Sequence, residues 1–111
     1  MATAQECEQA LHTLAERMAS GDNAVRRQRF DRSLTCSLRD LGVIYAGAFK
    51  NGELLDIRPV DKPDADIRFD MTSDDLMALV DGNLRVATAW AKGRIKVHAG
   101  VRDLVRLRSM F

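Results

Sequence analysis

Apolar and polar residues alternate along the middle of the chain, which is the pattern of β-strands with one buried face. Between residues 66 and 71, for example, Ile67, Phe69 and Met71 alternate with charged residues. The same alternation predicts five strands in all, and the last of them follows a helical insertion. These strands are predicted at 33–38, 43–49, 54–60, 66–71 and 94–98.

Turn residues between these segments predict how the strands connect. Asn51-Gly52 tolerates the positive φ of a type I′ turn and predicts a hairpin between the second and third strands. Pro59 near the end of the third strand predicts a sheet edge or a strand end there. We expect the second to fourth strands to form an antiparallel meander, and the fifth to pair non-sequentially, with parallel pairing an option.

Apolar residues at helical spacing predict helices at both ends of the chain and two more after the fourth strand. Thr72 offers an N-cap hydroxyl, and Asp74 and Asp75 place carboxylates at the positive end of the helix dipole. Gly82 can end this helix in the left-handed conformation, and Gly93 ends the next one. Helices are predicted at 4–19, 73–81, 86–92 and 101–110.

This order of elements predicts an α+β domain with a mostly antiparallel sheet covered on one face by helices. A length of 111 residues is typical of a single domain, which we expect to span 1–111. Hydrophobic residues make up 46% of the sequence but aromatic residues only 5%, so the interior is expected to be aliphatic.

Charge is distributed unevenly along the chain, although the net charge is only +1. Residues 51–84 carry nine acids and three bases, whereas residues 85–111 carry seven bases and one acid. The low total argues against nucleic acid as a partner. The two segments either pair with each other or leave a basic C-terminal face that contacts anionic headgroups or an acidic partner.

A dense basic cluster follows the first helix. Arg26, Arg27, Arg29 and Arg32 surround Phe30 in this cluster. The arginines are either solvated charges on a connector or short helix, or a surface anchor that binds phosphates while Phe30 enters an interface.

Cys7 and Cys36 lie in different predicted elements and lack the Cys-x-x-Cys spacing of a redox or metal motif. Both fall on predicted apolar faces, so we expect two small buried thiols in a reducing compartment. There is no basic-then-apolar leader, and no apolar run reaches the roughly 18 residues of a membrane span. These features predict a cytoplasmic protein.

No group with the arrangement of a catalytic site emerges from the sequence. His98 lies on the polar face of the fifth strand beside Lys96, where nothing supports it as a base. The hydroxyls of Ser33, Thr35 and Ser37 share a strand face without a His or Asp placed to activate them. Two histidines and two separated cysteines do not make a metal site. We therefore predict no enzyme activity, no cofactor and no metal.

An ordered set of short motifs resembles the second half of the sterol carrier protein 2 (SCP2) sterol-binding domain family. Two glycines bracket a short helix that carries an Ala-aromatic pair, as in that family. The motifs are KNG at 50–52, ADIRFDM at 65–71, SDDL at 73–76 with Leu79, GNL at 82–84, AW at 89–90 and GRIKV at 93–97.

The resemblance implies a five-stranded sheet that, with its helices, encloses an apolar tunnel for a sterol, a fatty acid or a fatty acyl chain. It implies noncovalent lipid binding or transfer without catalysis, and the final helix is expected to act as a lid. A cavity of this kind needs aliphatic walls rather than a nucleophile. The residues expected to line or close the tunnel are Phe69, Met71, Leu79, Trp90, Val97, Leu104, Leu107, Met110 and Phe111.

Two functional hypotheses follow. The first is a lipid carrier that transiently contacts an anionic membrane surface. The second is a non-catalytic interaction or oligomerisation module, in which those apolar residues fill an ordinary core. In that case Met110 and Phe111, with the arginine-rich face, would contact a partner or form a homodimer through the last helix.

Overall fold

The computed structural model describes residues 2–20, 31–50 and 53–110, with the backbone alone for 17–20 and 107–110. Residues 26–30 of the basic cluster and the predicted turn at 51–52 therefore lie outside the described residues, whereas Arg32 of that cluster is described. The described elements, numbered in chain order, are α1 (Ala4–Ser20), β1 (Arg32–Leu38), β2 (Val43–Lys50), β3 (Glu53–Val60), β4 (Ile67–Met71), α2 (Ser73–Asp81), α3 (Val86–Ala91), β5 (Lys96–His98) and α4 (Val101–Met110).

The five strands form one sheet in the order β3-β2-β1-β4-β5. Three of the strand pairs are antiparallel and the central β1–β4 pair is parallel, which confirms a mostly antiparallel α+β fold. The predicted meander is wrong at β4, because this strand pairs with β1 and not with β3. The prediction that β5 pairs non-sequentially, with parallel pairing as an option, is also wrong, since β5 runs antiparallel to the preceding strand β4.

Burial explains why β1 rather than β3 takes the central position. Leu34, Cys36 and Leu38 are all buried, and a central strand needs such residues because it has neighbours on both edges. In β3, by contrast, Leu55, Arg58 and Pro59 are exposed. As Pro59 predicted, β3 occupies an edge of the sheet.

The strand register places the apolar residues of β1, β2 and β4 on one side of the sheet, which we call the inner face. Cys36 lies opposite Tyr45 in β2, and Leu38 lies opposite Met71 in β4. These four side chains form one cluster with Cys7 of α1 and with residues of α2 and α3. The helices therefore cover the inner face, and the hydroxyl of Tyr45 donates to the carbonyl of Ala4 at 3.0 Å.

Helix α2 begins and ends as its sequence predicts. The Thr72 hydroxyl accepts from the backbone N–H of Asp75 at 3.2 Å, and Gly82 closes the helix at φ 80°. Helix α1 begins with an additional capping box: Glu6 N–H donates to the Thr3 hydroxyl, and Thr3 N–H donates to Glu6 Oε1, both at 3.1 Å.

Cys7 and Cys36 are both free and buried, as predicted. Among the described helices, none combines the length and the hydropathy needed to cross a membrane.

Candidate functional site

Two apolar clusters lie on the inner face of the sheet. The first is the cluster that includes Cys36, Tyr45 and Met71, and α1, α2 and α3 all contribute to it. The second cluster consists of three buried residues, Leu34, Phe49 and Ile67, which are at most 6% exposed. It sits at the end of the sheet where β1 and β4 begin and β2 ends. The inner face thus carries two apolar clusters, and different elements cover each of them.

Phe69 and Val97 join the two clusters. They lie directly opposite each other across β4 and β5, and each packs against both clusters. Both side chains are only partly buried. Trp90 of α3 packs against the second cluster and is also partly buried. Three of the predicted lining residues therefore converge on one region of the inner face.

The other predicted lining residues are distributed more widely. Met71 is 5% exposed inside the first cluster, and Leu79 packs against that cluster. Leu104 of α4 is partly buried, and its N–H donates to the carbonyl of Gly100 at 2.9 Å. The predictions for the remaining three residues fall on side chains outside the described part of the chain. These residues are Leu107, Met110 and Phe111.

The second cluster receives less helical cover than the first within the described residues. Its described apolar neighbours are two strand residues on β3 and β4, two residues in or after β5, and one helical residue. These neighbours are Leu54, Phe69, Val97, Ala99 and Trp90. Within the described residues, one short helix therefore contributes to the cover of the second cluster, whereas three helices contribute to that of the first.

Polar contacts surround the end of the sheet that carries the second cluster. Arg32 Nε lies 3.1 Å from Asp103 Oδ1 and 3.3 Å from Oδ2, which ties α4 to the start of β1. Beside this pair, Ser33 donates its N–H and its hydroxyl to Asp66 Oδ2, at 3.2 and 3.1 Å. An open depression of about 270 Å³ is lined by Arg32, Ser33 and Asp66 and also by Phe49 and Lys50.

Sequence reasoning missed the Arg32–Asp103 contact because the two residues are 71 positions apart. The charges offered a signal, since Asp103 is the one acid among residues 85–111 and a basic cluster precedes β1. The residues of the second cluster were also missed as a group. Alternation assigns each of them to a buried face, but only the strand register brings them to the same end of the sheet.

Asp74 and Asp75 lie in the first turn of α2, as the helix-start interpretation predicts. Asp75 is 7% exposed, and its N–H donates to the Thr72 hydroxyl that caps the helix. Its carboxylate accepts from Arg94 Nε at 3.0 Å and from Nη2. Ser73 donates its N–H and its hydroxyl to Asp40 at 2.9 and 2.5 Å. The pKa of Asp40 is held below its usual value, mainly by the hydrogen bond from the Ser73 hydroxyl.

The polar residues considered as nucleophiles or bases show no catalytic arrangement in the described structure. Ser33 bonds to Asp66, and Thr35 is 1% exposed with no hydrogen-bond partner for its hydroxyl among the described residues. His98 is exposed opposite Arg68 of β4. Burial raises the pKa of the Cys36 thiol to about 12, so it is protonated at neutral pH. The described residues contain no group of three or more side chains suited to bind a metal ion.

The structure is similar to solved SCP2 structures over nearly its whole length. No protein-family model and no curated protein matches the sequence. The crystal structure of sterol carrier protein 2 matches with a TM-score of 0.69 and 16% identity, over 95% of this chain and 86% of that one. Sterol carrier protein 2 like 2 from Aedes aegypti matches with a TM-score of 0.65 and 14% identity, over 98% and 100%.

A third similarity is to part of a larger enzyme. The stereoselective inverting sec-alkylsulfatase Pisa1 from Pseudomonas sp. matches with a TM-score of 0.54 and 24% identity over 73% of this chain. The chain spans only 13% of the length of that sulfatase. Together the comparisons show that this chain has the SCP2 fold, which confirms the fold that the sequence motifs implied.

Proposed function

We propose that this chain is a single domain that binds a lipid noncovalently between the inner face of its sheet and its helices. The observation that carries the proposal is the convergence of Phe69, Val97 and Trp90. These large apolar side chains are left partly buried on the otherwise covered face. Binding of a hydrocarbon chain against this surface would be favoured by about 25 cal/mol for each Å² of apolar surface removed from water.

The fold supports a ligand with a long hydrocarbon chain. AeSCP-2 from Aedes aegypti, whose solution structure is a complex with palmitate, matches this chain with a TM-score of 0.59 and 20% identity over 98% of its length. We propose a fatty acid, a fatty acyl chain or a sterol as the ligand, held in an apolar tunnel. The proposed wall is Phe69, Met71, Leu79, Trp90 and Val97, with Leu104, Leu107, Met110 and Phe111 as the lid.

In this proposal the protein acts as a cytoplasmic carrier and performs no chemistry on its ligand. Transfer between membranes requires transient contact with a bilayer, and the basic segment 85–111 makes an anionic surface the favoured one. The conformational step is displacement of α4, whose Asp103 contacts Arg32 at the second cluster.

Trp90 provides a direct test because it is the only tryptophan in the chain. Titration with a fluorescent fatty acid should quench Trp90 emission by energy transfer and should saturate at one ligand per protein. Phe69→Asp should abolish this saturable signal, because a charge in an apolar site carries a large desolvation penalty. Leu55→Asp is the matched control, since Leu55 is 40% exposed on edge strand β3.

Native mass spectrometry of the purified protein gives an independent readout. Co-purified lipid should appear as a mass adduct that is lost in Phe69→Asp. Absence of both an adduct and saturable uptake, for fatty acid and sterol probes alike, would rule out the proposal.

The similarity to a segment of the alkylsulfatase favours a second candidate, a non-catalytic interaction or oligomerisation module with a filled core. This module would pack Phe69 and Val97 as ordinary core and would use α4 in its contact. It predicts no lipid uptake together with a concentration-dependent dimer or a stable complex in analytical ultracentrifugation. A lipid carrier would instead show saturable lipid uptake without such a dimer or complex.

A further inference from the structure

The open depression at the end of the sheet borders the second cluster. Arg32 of β1 and Phe49 of β2 lie opposite each other and both line it. Ser33 and Lys50, the next residues of the two strands, line it as well. Phe49 is also one of the three buried residues of the second cluster. The depression is therefore adjacent to the apolar region that we propose as the lipid site.

The charged groups of this depression differ in their partners. Arg32 Nε already donates to Asp103. Asp66 accepts hydrogen bonds from the N–H and the hydroxyl of Ser33. Lys50 is exposed, and within the part of the chain that the structure describes it forms no hydrogen bond or ion pair. Its ammonium group is thus the cation that remains for a ligand.

We propose that the depression binds the carboxylate headgroup of a lipid through the Lys50 ammonium, which makes a free fatty acid the ligand class rather than a sterol. This inference rests on the proposed lipid-binding function. An ammonium group offers three donors and a full charge, so its bond to a carboxylate is charge-assisted on both sides. The single hydroxyl of a sterol is neutral and forms a weaker bond with the same group.

The strand register gives the hydrocarbon chain of such a ligand a path along the inner face. From Arg32 at the depression, β1 runs past Leu34 of the second cluster to Cys36, which lies opposite Phe69. These four residue steps cover about 13 Å at roughly 3.3 Å per residue. A flexible acyl chain can therefore reach the partly buried Phe69 while its carboxylate stays in the depression.

The lining also limits how strongly the headgroup is held. Asp31 and Asp66 place two carboxylates in the same depression. They oppose a second negative charge, and water reaches the exposed Lys50 side chain. We therefore expect the effect of one solvent-exposed ion pair, which is about two- to fivefold in affinity.

Two ligands with the same hydrocarbon chain separate the headgroup from the tail. Isothermal titration calorimetry measures the dissociation constants of dodecanoate and of dodecan-1-ol. Lys50→Gln should weaken dodecanoate binding about two- to fivefold and leave that of dodecan-1-ol unchanged. Lys50→Arg keeps the positive charge and should bind dodecanoate as the wild type does.

Lys62→Gln is the matched control, because it removes the same charge from another exposed lysine. Lys62 follows the end of β3, which pairs with the start of β2, whereas Lys50 ends β2. The control should bind both ligands like the wild type. If it loses as much dodecanoate affinity as Lys50→Gln does, the effect comes from total charge and the headgroup site is wrong.

The remaining outcomes keep the headgroup site apart from the lipid-carrier proposal. If the wild type binds both ligands and Lys50→Gln changes neither constant, or both equally, the headgroup site is refuted and the carrier function is retained. If the wild type binds neither ligand nor cholesterol, the carrier function is refuted, and the headgroup site with it. Cholesterol that displaces dodecanoate at equal or higher affinity would overturn the assignment of a fatty acid as the ligand class.

Discussion

Arg94 forms an ion pair with the buried carboxylate of Asp75, and this ion pair attaches the segment after α3 to the start of α2. The two residues are 19 positions apart, and Arg94 donates from both Nε and Nη2 to the same oxygen of Asp75. Asp75 also forms the first turn of α2, where its N–H donates to the Thr72 hydroxyl. The contact therefore joins the start of α2 to the segment between α3 and β5.

Replacing Arg94 with alanine should destabilise the fold by about 1–3 kcal/mol, because the Asp75 carboxylate, 10% exposed in its side chain, would lose its cation. Urea unfolding followed by far-UV circular dichroism measures this loss. Arg85→Ala is the control, since Arg85 is an exposed arginine at the start of α3 whose side chain makes no capping bond. If Arg94→Ala lowers the free energy of unfolding no more than Arg85→Ala does, the Arg94–Asp75 contact does not stabilise the fold.

Acid should weaken the link between the β1–β2 turn and α2. The pKa of Asp40 is lowered from its ordinary 3.8, first by the Ser73 hydroxyl and also by the Ser73 N–H. A lowered pKa means that this stabilisation is present above the ordinary value and is lost as the pH falls through the lower folded value. The difference in urea midpoint between wild type and Asp40→Asn should therefore shrink below about pH 4.

Ser73→Ala should return the Asp40 pKa toward 3.8, which carboxyl chemical shifts in an NMR titration would report. Asp61→Asn removes a charge from an exposed loop and serves as the control. A midpoint difference for Asp40→Asn that is constant from neutral pH to about pH 3 would contradict the assignment.

Both thiols should be inert in the folded protein. Cys36 is 3% exposed and burial raises its pKa to about 12, while burial also raises the pKa of fully buried Cys7. Since the thiolate is the reactive form, Ellman's reagent should give no rapid reaction under native conditions at pH 7–8. Two equivalents should react in denaturing guanidinium chloride. A fast native reaction would mean that α1 opens readily from the sheet.

The sequence predicts most of the elements because their signals are local. Thr72 and Gly82 delimit α2 through bonds within a few residues, and the alternation of Leu34, Cys36 and Leu38 marks a buried strand whatever its neighbour. The partner of β4 was mispredicted because consecutive strands usually pair. In this chain β4 carries three apolar residues in register with those three, and pairing with β1 places Ile67 and Met71 among the buried residues of the inner face.

The candidate site was only partly predictable for the same reason. Phe69, Trp90 and Val97 could be named because family-like motifs surround them. The second cluster depends on a register that brings Ile67 opposite Leu34, and alternation alone does not determine a register. The Arg32–Asp103 contact depends further on where α4 packs, and no short-range pattern encodes that position.

The inner face beside the second cluster leaves little room for a side chain at Gly47. Gly47 lies opposite Leu34 at a register shift between β2 and β3. A Cβ at this position would approach Leu54 Cδ1 to 3.1 Å and the carbonyl oxygen of Leu55 to 3.3 Å. Gly47→Ala should therefore destabilise the fold by about 1–3 kcal/mol, because the Leu54 side chain and the backbone at Leu55 would both have to move away.

The measurement is thermal or urea unfolding, with Gly100→Ala as the control. Nothing lies within 4 Å of a Cβ added at Gly100, so that variant should change stability little. If Gly47→Ala is as stable as the wild type, β3 must shift away from β2 and the edge strand is looser than its contacts suggest.

The Arg32–Asp103 contact should set how fast a lipid leaves the proposed site. Asp103→Asn removes the ion pair that attaches α4 to β1, while Val101 and Val105 remain exposed. Because the Arg32 side chain is 43% exposed, the pair contributes no more than about 1 kcal/mol. If α4 must move for release, the mutation should raise the dissociation rate of a fluorescent fatty acid up to about fivefold.

Stopped-flow displacement by excess unlabelled palmitate measures this rate. Arg102→Gln, which alters an exposed charge on the same helix, should leave it unchanged. Equal rates in wild type and Asp103→Asn would show that the ligand leaves without displacing α4.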